Sequence, residues 1–82
     1  MSAEHLDIQL PVLGHGLDEA LLVEWVAAVG DHIDRGDVVA LIETDKASSE
    51  ILAERDGHIA ALVAAAGTIL RSGDVLYQLT SD

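Results

Sequence analysis

Apolar residues in this 82-residue chain fall into short runs separated by polar or glycine-containing steps. Leu6, Ile8 and Leu10 alternate with Asp7 and Gln9, the period-two pattern of a half-buried strand, and Pro11 ends it. Val38 to Ile42 is a β-branched and aliphatic run entered from Gly36-Asp37, and Val75 to Leu79 is entered from Gly73-Asp74 in the same way. Turn residues at Gly14-His15-Gly16, Gly30-Asp31, Arg35-Gly36-Asp37, Asp56-Gly57, Gly67-Thr68 and Ser72-Gly73-Asp74 divide the chain into about eight short strands. One segment pulls the other way. Asp18 to Val29 has an acidic first turn, good helix formers and Gly30 as a C-terminal cap, and Ile59 to Ala66 is similar. Asp18 to Val29 is apolar on nearly all sides, however, and a chain this short could hardly bury such a helix. The spacing therefore predicts an all-β fold, a sandwich or flattened barrel.

A repeat supports that choice. Residues Glu24 to Asp45 align without a gap on Ala61 to Asp82, 37 residues later, with eight identical pairs that include Gly30/Gly67, Gly36/Gly73, Asp37/Asp74 and Val38/Val75. Two similar halves predict internal pseudo-two-fold symmetry, so a strand in one half is a strand in the other.

Composition narrows the function classes. Fifteen acidic against four basic residues give a formal charge of −11, and Arg35, Lys46, Arg55 and Arg71 are scattered, which excludes a phosphate-binding surface for nucleic acid and disfavours anionic membranes. The longest apolar stretch, Ile59 to Ala66, is far short of the ~20 residues that span a bilayer, and the first residues do not form a signal peptide. With no Cys, the expectation is one soluble, cytoplasmic domain over residues 1–82, its core within about 6–80. The four His are too irregularly spaced for a local metal motif, and Ser48, Ser49 and the His residues make no nucleophile arrangement. Trp25 reads as packing, and the acidic residues read as a solvated face.

One connection lacks both Gly and Pro: Glu43-Thr44-Asp45-Lys46-Ala47-Ser48-Ser49-Glu50, between the Val38 run and Ile51-Leu52. A polar interruption between two apolar runs is a hairpin tip. It lifts Lys46, the only lysine, among Glu43, Asp45 and Glu50.

The motif Glu43-Thr44-Asp45-Lys46-Ala47 followed by Glu50-Ile51 resembles the modified hairpin of lipoyl domains in 2-oxo acid dehydrogenase complexes. Leu10-Pro11-Val12-Leu13-Gly14-His15-Gly16-Leu17, then Glu19-Ala20, Val23-Glu24-Trp25 and Val29-Gly30-Asp31, is similar to the start of such domains in the acyltransferase component. Gly36-Asp37, Asp56-Gly57, Gly67 and Gly73-Asp74 continue the pattern, so the resemblance runs from about Ile8 to Leu79.

The resemblance implies a flattened barrel of two four-stranded sheets and a non-catalytic carrier, with lipoic acid held covalently by Lys46. It implies that Asp45 and Ala47 guide the lipoate-attaching enzyme, that Glu43 and Glu50 assist, and that Gly57 supports an adjoining turn. It also implies partners: a thiamine-diphosphate-dependent 2-oxo acid decarboxylase, an acyltransferase domain and dihydrolipoyl dehydrogenase. The loop containing Gly14, His15, Gly16 and Leu17 would help select the decarboxylase. His15 stands there where the family usually has an acidic residue. Two alternatives stay open, a biotin carrier and an unmodified β interaction module. Asp45 and Ala47 weigh against the first, because biotinylated lysines normally lie between methionines, and Lys46 itself weighs against the second.

Overall fold

The computed structural model describes residues 5–11 and 19–80. They form eight strands: β1 (His5–Gln9), β2 (Glu19–Trp25), β3 (His32–Ile33), β4 (Val38–Glu43), β5 (Ser48–Leu52), β6 (Gly57–Leu62), β7 (Ile69–Arg71) and β8 (Val75–Thr80). Two four-stranded antiparallel sheets result, ordered β1-β8-β6-β3 and β5-β4-β2-β7. Among the described residues there is no helix, and so none long and apolar enough to cross a membrane.

The helix-forming composition of Asp18 to Val29 yields to packing. In β2 the side chains of Ala20 and Leu22 are buried while Glu19, Val23 and Glu24 are exposed, an alternation that only an extended chain provides. Ile59 in β6 is the counterpart of Leu22, and both are buried between the sheets. The core repeats this pairing: Val39 with Leu76, Ile42 with Leu79, Ile33 with Leu70, Ile8 with Ile51. Ala40 with Tyr77 and Leu10 with Ala53 are pairs of unequal size, all four buried.

Pseudo-two-fold symmetry reaches down to single hydrogen bonds. The amides of Val26 and Ala27 both donate to the carbonyl of Val39, and those of Val63 and Ala64 both donate to that of Leu76. The irregularity in the β2–β4 ladder at Leu22/Glu24 recurs in the β6–β8 ladder at Ile59/Ala61. Gly36 and Gly73 turn the chain at φ 96° and 94°, where a Cβ would be strained. After each, an aspartate carboxylate closes the turn: Asp34 N–H donates to Asp37 at 2.9 Å, and Arg71 N–H to Asp74 at 2.8 Å. Asp31 and Asp56 likewise accept backbone amides, from Ala28 and Arg35. Part of what reads in the sequence as a solvated acidic face therefore holds the turns.

The symmetry carries β1 to β5, β2 to β6, β3 to β7 and β4 to β8, so each sheet draws on both halves. Equivalent residues are 37 apart in β2 and β6 but 43 apart in β1 and β5, which places six extra residues in the β1–β2 connection. That connection contains Gly14, His15, Gly16 and Leu17, which lie outside the described residues.

Candidate functional site

The β4–β5 hairpin brings the predicted attachment residues together. Its last ladder pair is Glu43 with Ser48, leaving Thr44, Asp45, Lys46 and Ala47 as the tip. Inward-facing Ala40 and Ile42 anchor β4 in the core, and Ile51 does the same for β5. By period-two alternation, Glu43 and its partner Ser48, then Leu41 and its partner Glu50, stand on the opposite, outer face. Glu43, Asp45, Lys46, Ala47 and Glu50 are all exposed. Among the described residues no carboxylate comes within ion-pair distance of the Lys46 ammonium, so acidic neighbours surround the lysine without engaging it.

The tip is shaped by a residue to which the sequence assigns no role. Thr44 Oγ1 accepts the amides of Lys46 and Ala47, each at 3.2 Å, and donates to the Ala47 carbonyl at 3.1 Å. The Thr44 amide donates to that same carbonyl at 2.9 Å. A threonine two and three residues ahead of free amides is a known turn former, so the signal was present in the sequence.

Other singled-out residues serve the scaffold. Gly57 opens β6, buried, where a Cβ would stand 2.8 Å from the Thr80 carbonyl oxygen and 2.9 Å from Leu79 Cγ. Its contacts are thus with the end of β8. Trp25 is half-buried, its ring edge-on to Tyr77 at 6.0 Å between centroids. His32 and His58 face each other across β3 and β6 at 4.9 Å, with Asp34 bonded to His32 at 3.1 Å. Among the described residues no group of three or more His, Cys, Asp or Glu could hold a metal ion.

The comparisons with known proteins agree with this geometry. The family model described as "Biotin-requiring enzyme", which covers biotin and lipoyl attachment, matches residues 6–79. The chain is 41% identical, over 77% of its length, to the dihydrolipoyllysine-residue acetyltransferase component of the pyruvate dehydrogenase complex of Rhizobium meliloti. It is 39% identical, over 88% of its length, to the lipoamide acyltransferase component of the branched-chain alpha-keto acid dehydrogenase complex of Pseudomonas aeruginosa. The chain spans only 14% and 17% of those two proteins. Among solved structures it is similar to the lipoyl domain of the 2-oxoglutarate dehydrogenase complex of Azotobacter vinelandii, with TM-score 0.72 and 35% identity, covering 92% of this chain and 95% of that one. A match across nearly all of an isolated lipoyl domain, added to a lysine at the tip of the β4–β5 hairpin, places the chain: it belongs to the biotin/lipoyl attachment family and, within it, to the lipoyl domains.

Proposed function

We propose that Lys46 carries a lipoyl group in amide linkage and that the chain is a carrier domain of a 2-oxo acid dehydrogenase complex. The observation that carries this reading is the placement of the only lysine, exposed and without an ion-pair partner among the described residues, at the tip of a hairpin in a lipoyl-domain fold. A primary amine so placed suits acylation. The hairpin leaves it exposed, and the long lysine stem adds reach to whatever is attached. When bound, the group supplies a dithiolane that takes up an acyl unit with reduction of its disulfide.

The rest is done by the chain. Asp45 and Ala47 flank the amine, with Glu43 and Glu50 on the outer face behind it, as the surface an attaching enzyme reads. Amide formation removes the lysine charge and leaves a more acidic tip, suited to basic rims on partner active sites. Those partners are a thiamine-diphosphate-dependent 2-oxo acid decarboxylase, an acyltransferase domain and dihydrolipoyl dehydrogenase. Tethering makes each visit an intramolecular encounter at high effective concentration.

Intact mass after expression with lipoate and a lipoate-attaching enzyme tests the reading. One lipoyl increment is expected, absent from Lys46→Arg. A biotinyl increment would move the chain to the biotin branch of its family, and no increment would leave an unmodified interaction module.

A further inference from the structure

We propose that the Thr44 hydroxyl is the positioning group that presents Lys46 for covalent attachment, an inference that rests on reading Lys46 as the attachment residue. Thr44, Asp45, Lys46 and Ala47 contribute no residue to the buried core, and the last three are exposed. Thr44 alone of the four is half-buried. Its hydroxyl spends its one donor and both acceptor sites on the tip: the Lys46 amide, the Ala47 amide and the Ala47 carbonyl. The backbone on both sides of Lys46 is thereby tied to a single oxygen held by a side chain whose rotamer is restricted by burial and β-branching.

This divides the work at the tip. Among the described residues the Asp45 carboxylate makes no hydrogen bond or ion pair, which leaves it for a partner, while Thr44 sets the geometry the partner meets. In the attachment step, lysine Nζ gives up a proton and forms a C–N bond to the carboxyl carbon of an acyl adenylate. The C–O bond to the phosphate breaks, AMP leaves with the electron pair, and the nitrogen releases a second proton. The attacking nitrogen must meet that carbon at bonding distance and angle, so a wandering tip reduces productive encounters. A hydroxyl bond that stiffens the turn raises the attachment rate without touching the reacting atoms.

The test compares Thr44→Val, which keeps the shape and removes the hydroxyl, with Thr44→Ser, which keeps the hydroxyl. Initial rates of lipoylation are followed by intact mass with lipoate, ATP and a lipoate-attaching enzyme, alongside amide hydrogen exchange at Lys46 and Ala47. For Thr44→Val, kcat/KM should fall about tenfold, the worth of one or two ordinary hydrogen bonds, with faster exchange at both amides. Thr44→Ser should stay within about twofold of wild type on the same scale. Exchange at Val39 and Leu76 separates local from global effects: slow core exchange beside a fast tip supports positioning, and equal loosening throughout overturns it. A Thr44→Val chain modified at the wild-type rate, or a Thr44→Ser chain equally impaired, overturns the proposal alone. A wild-type chain that gains no lipoyl mass overturns the carrier reading and takes the proposal with it.

Discussion

Trp25 donates its indole N–H to the carbonyl oxygen of Ala64, 2.9 Å away and 39 residues along the chain. The bond joins the end of β2 in the first half to the segment after β6 in the second, and it seats the indole edge-on against Tyr77. Trp25→Phe keeps an aromatic ring there but loses the donor, leaving the Ala64 carbonyl one partner short. We expect a loss of about 1 kcal/mol, read as a lower urea midpoint at unchanged slope by circular dichroism. An unchanged midpoint would mean that water replaces the indole at no cost.

Gly57 and Gly36 both sit at positive φ, 156° and 96°, and should fail by different amounts because only Gly57 adds a clash to that strain. At Gly57 an added methyl meets the Thr80 backbone and Leu79, so Gly57→Ala overpacks a closed site and should cost about 1–3 kcal/mol. At Gly36 nothing lies within 4 Å, and Gly36→Ala carries only the strain of a positive φ, about 1–2 kcal/mol. Urea melts of the two variants should rank Gly57→Ala as the less stable, and the reverse order would show that the β6–β8 contact is soft.

Tyr77 makes stability depend on alkaline pH. Burial, reinforced by the Glu54 carboxylate, holds its phenol above the ordinary value of 10.0. The unfolded chain therefore releases this proton at lower pH than the folded one. The stabilising contribution is complete below about pH 10 and declines as pH climbs from there toward the folded-state value. Tyr77→Phe should remove that dependence. Urea midpoints measured at pH 8 and above pH 10 check it, and parallel declines in wild type and variant would assign the effect elsewhere.

Moving the lysine one place, as Lys46→Ala with Ala47→Lys, preserves charge and composition but relocates the amine relative to the Thr44 hydroxyl. Lipoylation should fall at least about tenfold, while the melting temperature stays near wild type because both positions are exposed. Efficient modification of the shifted chain would show that exposure alone is enough.

How far the sequence could be read depended on the range of the interactions involved. Alternation around Ile8 and the repeated Gly-Asp steps made the strands legible, and the repeat overrode the helical propensity read over Asp18 to Val29. The sheet order β1-β8-β6-β3 was not written locally, because it interleaves the halves, and hence the facing of His32 and His58 could not be foreseen. The hairpin and its lysine were legible from polar residues between apolar runs. What Thr44 does was harder to see, since a side-chain oxygen acts on the turn only once the turn exists. Asp37 and Asp74 marked turns in the sequence, but their carboxylates acting as acceptors emerged only from the geometry.

The symmetry that pairs Glu43 with Ser48 also pairs Thr80 with His5, so the start of β1 and the end of β8 stand to each other as the two arms of the lysine hairpin do. Four residues bridge the arms of that hairpin. The same four, Thr-Asp-Lys-Ala, placed between Thr80 and His5 would span the same gap, and cutting the chain at the present tip would then leave a circular permutant with its lysine on the other sheet. No residue of the buried core lies in the four-residue tip itself. In that sense the scaffold presents two symmetry-related hairpin ends, one on each sheet, and the order in which the strands are joined sets which of them bears the lysine.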